Sequence, residues 1–97
     1  MGKTERTVSE LMLDQLYMFG VRRIYGVVGD ATFGIIDALA KQDKIKYIAV
    51  KHESTAAFMA SAEAKLTGGL GVCTATMGPG AANLINGLGD AHADRAP

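Results

Sequence analysis

The sequence predicts an α/β domain, a parallel sheet with helices on both faces. Short β-branched or apolar runs alternate with stretches of helical periodicity, three times over. The runs are apolar throughout rather than alternating in polarity, as in strands covered on both sides. Glycine or glycine-proline breaks separate most of these runs from the helices beside them. Strands joined through helices pair in parallel, with right-handed crossovers.

Each element has its own signal. Thr7-Val8-Ser9-Glu10 has the spacing of a capping box and starts the first helix. Val8, Leu11, Met12, Leu16 and Phe19 give that helix an apolar stripe, and Gly20 closes it. Residues 23–28 form a buried strand, broken by Gly29-Asp30. A helix over about residues 32–41 follows, with Ile35, Ile36, Leu39 and Ala40 inward. Residues 47–50 make the second strand, and residues 53–66 a helix ended by Gly68-Gly69. That helix carries Ala56, Ala57, Ala60, Ala62 and Ala64; small side chains allow close approach of a neighbour, although Ala is also the best helix former. Residues 70–76 read as the third strand. Residues 81–91 read as a helix weakened by Gly87 and Gly89. Asp94-Arg95-Ala96-Pro97 reads as the loop after it, where the alternation calls for a fourth strand. Residues 1–97 are therefore expected to be an incomplete domain, a fragment of a longer protein. Its apolar edge strands would invite association.

Composition narrows the function classes. Ninety-seven residues allow one small domain. Ten basic and ten acidic side chains cancel, which speaks against a nucleic-acid footprint or a polybasic membrane patch. One cysteine, Cys73, leaves no internal disulfide framework and fits a reducing cytoplasm. The polar start at Met1 to Arg6 has no apolar region behind it, and no apolar run is long enough to span a bilayer.

Chemistry concentrates at two strand-to-helix switches. Glu53 lies in Val50-Lys51-His52-Glu53-Ser54, at the C-terminal edge of the sheet where open α/β folds keep their ligands. On base rates alone it is a solvated acid favoured by the helix dipole. The second switch is Thr76-Met77-Gly78-Pro79-Gly80-Ala81-Ala82-Asn83. Gly78 and Gly80 allow backbone to approach a planar ring, or simply make a turn with Pro79 at a helix start. The segment lacks the third glycine of a dinucleotide fingerprint, and no Gly-Lys-Ser/Thr of a P-loop occurs. Asp90, His92 and Asp94 alternate, but His92 faces away from the other two on a helix, against a metal site. Cys73 reads as a small buried hydrophobe and the five Met residues as core filler.

The run Tyr25 to Asp30 (YGVVGD), His52-Glu53 with Ala56-Ala57, Ala62 to Gly68 (AEAKLTG), Gly71-Val72-Cys73, Gly78-Pro79-Gly80-Ala81-Ala82-Asn83-Leu84 and Asp94-Arg95-Ala96-Pro97 follow in order along nearly the whole chain. Together they resemble the N-terminal, pyrimidine-binding domain of thiamine-diphosphate enzymes, in the group holding acetolactate synthase and pyruvate oxidase. Leu84-Ile85-Asn86-Gly87-Leu88 and Asp30 are similar to the branch of pyruvate oxidase and quinone-linked pyruvate dehydrogenase.

The resemblance implies roles for particular residues. Glu53 would hydrogen-bond N1′ of the cofactor's aminopyrimidine, favouring the tautomer that takes the proton from thiazolium C2. Such a carboxyl must share a proton near neutral pH, and burial in an apolar site would raise its pKa accordingly. Val28, Gly29, Gly78, Pro79, Gly80 and Asn83 would line the cofactor, with Pro79 and Asn83 against the ring. Asp30 would either help protonate the intermediate or cap the following helix. Val28 stands where the family usually has Pro, and Met77 where it mostly has a small residue. The family anchors the diphosphate and Mg2+ through a Gly-Asp-Gly motif, absent from this chain, and builds its site between two subunits. A cytoplasmic homodimer or homotetramer acting on a 2-keto acid such as pyruvate is the expectation, with FAD possible in the parent. The 97-residue chain alone would be inactive. The alternative is a non-enzymatic α/β dimerisation or regulatory module.

Overall fold

A computed structural model describes residues 6–97. The chain enters α1 (Val8–Met18) through the expected capping box. Thr7 Oγ1 accepts from the Glu10 N–H at 3.1 Å, and the Thr7 N–H donates to Glu10 Oε1 at 2.9 Å. The helix ends in a Schellman motif around Gly20, whose φ of 98° needs no Cβ. The Gly20 N–H donates to the Tyr17 carbonyl, and the Val21 N–H to that of Leu16. Val21 thereby enters the core.

From there β1 (Arg23–Gly26), a 3-10 turn (Asp30–Thr32), α2 (Phe33–Ala40), β2 (Lys46–Ala49), α3 (Glu53–Thr67) and β3 (Cys73–Thr74) follow, then α4 (Pro79–Ala82) and α5 (Ile85–Ala93). The three strands form one parallel sheet in the order β2-β1-β3. Opposite Ile24 stands Tyr47, and opposite Tyr25 stand Ile48 and Cys73, so successive residues of β1 serve opposite faces. Ile24 looks onto α1 and α2, packed with Leu13, Val21, Ala38, Leu39 and Ile45. Tyr25 looks onto α3, packed with Ala56 and Ala60. Helices therefore cover both faces, as predicted.

Four sequence readings change. The apolar stripe of α1 is not its core face: Leu13 is 4% exposed, whereas Val8 is 83% exposed and Leu11, Met12 and Phe19 lie at the surface. Leu13 packs in one cluster with Ile24, Ala38 and Leu39, and of the stripe Leu16 packs against that cluster. The third strand shrinks to two residues, because only Cys73 and Thr74 find β1 partners. The last helix is broken at Asn83-Leu84. Gly87 is not a weak point: it is buried, against Ala57. Of the alanines of α3, Ala56, Ala57, Ala60 and Ala64 are buried, while Ala62 faces solvent.

Polar clamps finish the assembly. Glu63 accepts from Arg23 Nε at 2.9 Å and from the Tyr25 hydroxyl at 2.5 Å, tying β1 to α3. Lys65 bridges α3 to Asp90 and Asp94 of the α5 end. The Gly71 N–H donates to the Pro97 carbonyl at 2.9 Å, placing the last residue beside the foot of β3. Among the described residues no helix is long and apolar enough to cross a membrane.

In urea unfolding, Leu13→Ala is expected to lower stability by about 2–5 kcal/mol. Val8→Ala should stay within about 0.5 kcal/mol. Equal losses would contradict the burial pattern of α1.

Candidate functional site

The strand order determines where a site forms. The chain leaving β1 turns into α2, on the face of α1. The chain leaving β3 passes through α4 into α5, which lies on α3 at the opposite face. Two neighbouring strands whose exits diverge leave a crevice at their C-terminal ends. The turn after β2 delivers Glu53 to the same edge.

Glu53 is the first residue of α3. His52 is extended (φ −146°, ψ 141°) and its Nδ1 accepts from the Ser54 N–H at 3.1 Å, capping the helix. A carboxylate in this first turn sits in the favourable field of the helix N-terminus. Glu53 Oε1 accepts from Asn83 Nδ2 at 3.1 Å, and Oε2 lies 3.3 Å from the point a Cβ on Gly80 would occupy. The acid and the glycine-proline loop, 30 residues apart in sequence, thus meet.

The loop is built around three special positions. Gly78 has φ 73° and ψ −123°, a conformation closed to side-chain-bearing residues, and nothing lies within 4 Å of its missing Cβ. Its requirement within the chain is dihedral, as for the turn that the sequence also allowed. Pro79 opens α4 as its first residue, where a missing N–H costs nothing. Gly80 is the buried one, and a Cβ there would stand 2.9 Å from Thr76 Cγ2.

Thr76 is the site residue that sequence reading passed over. Its side chain fills the space beside Gly29, 2.6 Å from that residue's absent Cβ, and its Oγ1 faces the Ala31 N–H at 3.4 Å. It therefore joins the loop after β1 to the glycine-proline loop. The signal was its position, last before the loop on a strand beside the first. Val28 and Asp30 reach the same edge through this joint and are exposed; among the described residues neither bonds to Glu53 or to Asn83. Asp30 does not cap α2, whose N-cap is Thr32 with no side-chain capping bond. The 3-10 turn is held instead by Thr32 Oγ1, which donates to the Gly29 carbonyl at 2.9 Å.

The local electrostatics of Glu53 in this chain act downward. The Asn83 amide, and after it a backbone N–H at Glu53 itself, hold its carboxyl below the ordinary carboxylate value, against a weaker upward push from burial. Elsewhere, Asp90 and Asp94 are occupied by Lys65, and among the described residues no group of three or more His, Cys, Asp or Glu side chains converges. Burial raises the Cys73 thiol pKa, as for a small hydrophobe. An open depression of about 350 Å³ between α1 and the α2–β2 connection, lined among others by Arg6, Asp14, Tyr17 and Lys41, lies at the other end of the sheet. Arg6 there pairs with Asp14 and Lys41 with Asp37, so its charges serve each other.

A folded-state value below the unfolded one means that Glu53 contributes stability above the ordinary carboxylate value, lost as pH falls through its folded value. Asn83→Ala should raise the Glu53 midpoint in a ¹³C carboxyl titration and remove that part of the acid-side loss. An unchanged midpoint would show that Asn83 is not its cause.

Residues 6–97 match the family described as "Thiamine pyrophosphate enzyme, N-terminal TPP binding domain". The chain is 51% identical over 90 residues to an uncharacterized protein of the isoamylase 3′ region of Pseudomonas amyloderamosa, covering 93% of this chain and 23% of that protein. It is 48% identical over 83 residues to a pyruvate oxidase of Lactiplantibacillus plantarum (84% of this chain, 14% of the relative). It is 41% identical over 97 residues to an acetolactate synthase large subunit of Pyropia yezoensis (97% and 16%). The chain thus spans less than a quarter of the length of each relative. With its parallel sheet and its acid and glycine loop at one strand edge, the chain belongs to the N-terminal TPP binding domain family of thiamine pyrophosphate enzymes.

Proposed function

We propose that this chain is the pyrimidine-binding portion of a thiamine-diphosphate-dependent 2-keto acid enzyme, with Glu53 as the residue that holds the cofactor's aminopyrimidine nitrogen. The observation that carries this is the Glu53 carboxylate, fixed by Asn83 and set against a side-chain-free Gly80. The residues fit such a ring: a carboxylate acceptor stands beside a wall from which a Cβ is missing. When bound, thiamine diphosphate supplies the electron sink for decarboxylation of a 2-keto acid.

The chain's own residues then do four things. Glu53 accepts the hydrogen bond of the ring nitrogen and keeps its proton shared. Asn83 orients the carboxylate. Val28, Gly29, Gly78, Pro79 and Gly80 form the wall that excludes water from that face. Asp30, exposed on the joint made by Thr76, is proposed to deliver a proton on the substrate side. The low folded-state value of Glu53 belongs to a carboxylate still facing solvent. Burying it under the cofactor and a facing domain would push it upward, toward the range where it can exchange a proton.

The remaining parts belong to the rest of the parent protein. A separate domain is proposed to bind Mg2+ and the diphosphate, across a homodimer or homotetramer interface. The substrate is proposed to be pyruvate or a similar 2-keto acid. The pyruvate oxidase branch is supported by Asp30 and by the segment Leu84-Ile85-Asn86-Gly87-Leu88. FAD in the parent and a cytoplasmic location, the latter on the single Cys73, complete the proposal.

Glu53→Gln in the parent enzyme should lower turnover by about 10²–10⁴-fold, and near-normal activity would sink the assignment. Calorimetric titration of the 97-residue chain with thiamine diphosphate and Mg2+ should show no tight binding. A micromolar isotherm would mean the chain holds the whole anchor.

A further inference from the structure

The α3 helix and the α4–α5 segment run side by side, and their contacts recur once per helical turn. The first is Asn83 Nδ2 to Glu53 Oε1, at 3.1 Å. One turn on, Gly87 meets Ala57: a Cβ on Gly87 would stand 2.3 Å from Ala57 Cβ and 2.8 Å from both the Ala57 carbonyl carbon and the Phe58 nitrogen. No real Cβ survives at such distances from backbone, so the two helices touch through their main chains. The next turn brings Ser61 Oγ to Asp90 Oδ2 at 2.8 Å. The last brings Lys65 Nζ to Asp90 at 2.7 Å and to Asp94 at 2.5 Å. The offset along the chain stays near 30 residues from the first contact to the third. A repeat of about four residues on both partners is what a continuous ridge on each helix requires.

Asn83 is rigidly joined to this seam. Asn83 (φ −72°, ψ −10°) and Leu84 (φ −79°, ψ −15°) both have helical dihedrals, and the Leu88 N–H donates to the Leu84 carbonyl at 3.0 Å. Helical dihedrals thus carry the chain from the amide into α5 across the break in the hydrogen-bonded helix.

We propose that Gly87 is a positioning residue for the Glu53–Asn83 pair: by letting the α5 backbone rest on α3 one turn beyond the site, it sets the distance at which the amide meets the carboxylate. Its catalytic consequence rests on the role proposed above for Glu53; the geometric coupling does not. Gly89 supplies the contrast. It lies two residues away on the same helix, with nothing within 4 Å of its missing Cβ. Alanine at either position brings the same gain in helix propensity, but only Gly87→Ala forces the helices apart.

The test uses Gly87→Ala, Gly89→Ala and Ala57→Ser in the full chain. The signals are the ¹³C carboxyl titration of Glu53, assigned by its disappearance in Glu53→Gln, and the side-chain amide resonance of Asn83. His52, whose charge also bears on Glu53, sits at the α3 start and is common to all three. In Gly87→Ala the Glu53 midpoint should move upward and the Asn83 amide toward its solvent-exposed position. Gly89→Ala should leave both unchanged, and Ala57→Ser should give a smaller displacement of the same sign. A folded Gly87→Ala protein with both signals at their original positions overturns the proposal, as does an equal displacement in Gly89→Ala. Should Gly87→Ala not fold, Ala57→Ser decides: unmoved signals there overturn it equally. Because the signals report a hydrogen bond and not turnover, this result and the fate of the catalytic role of Glu53 are separable.

Discussion

The position of β1 between its two parallel neighbours is the constraint on which the rest depends. Hydrogen-bonded on both edges, β1 must bury both faces, Ile24 toward α1 and α2 and Tyr25 toward α3. The chain therefore leaves β1 and β3 toward opposite faces, and their ends part. Gly29, Thr76 and Gly80 come together at that parting because it is where main chain can approach main chain with only a threonine between. Glu53 arrives at the same edge from the end of β2. A site at this edge follows from topology before any chemistry is considered.

The same economy of side chains operates along α3. Its buried face is alanine and serine, Ala56, Ala57, Ala60, Ser61 and Ala64, against which only short side chains or bare backbone can rest. The gain is proximity, which turns a single amide–carboxylate hydrogen bond into a fixed geometry. At the far end of the seam Lys65 and Ser61 hold Asp90 through polar contacts. The charge state of Glu53 is local, since a half-exposed carboxylate with an amide donor stays ionised.

Much of this was legible in the residues. The capping box at Thr7, the Gly20 stop and the switch at Glu53 each depend on neighbours within four positions, and the structure has all three. The motifs from Tyr25 to Pro97 also identified the family. What failed depended on distant partners. Periodicity marked Val8 and Leu11 as inward because it records a stripe and not what lies opposite; Leu13 is the α1 residue that is buried, with Leu16 and Tyr17 packed beside it. Gly87 looked like a helix breaker because its propensity is visible in sequence and Ala57 is not. Of the two roles open to Asp30, capping falls away, because Thr32 closes that turn.

The sequence by itself determined the fold class, the order of elements, the family and the two segments that carry the site, because these follow from short-range propensity, hydrophobic pattern and motif order. Only the tertiary structure decided that Glu53 and Asn83 share a hydrogen bond, that Thr76 joins the two loops, that Gly78 is needed for its dihedrals and Gly80 for its closeness, and that Asn83 draws the Glu53 carboxyl below its ordinary value. The physical reason is the same in each case. A distance between backbones, and the field at a carboxylate, are set by which elements pack together, and residues about 30 apart in a chain carry no local signal of their contact.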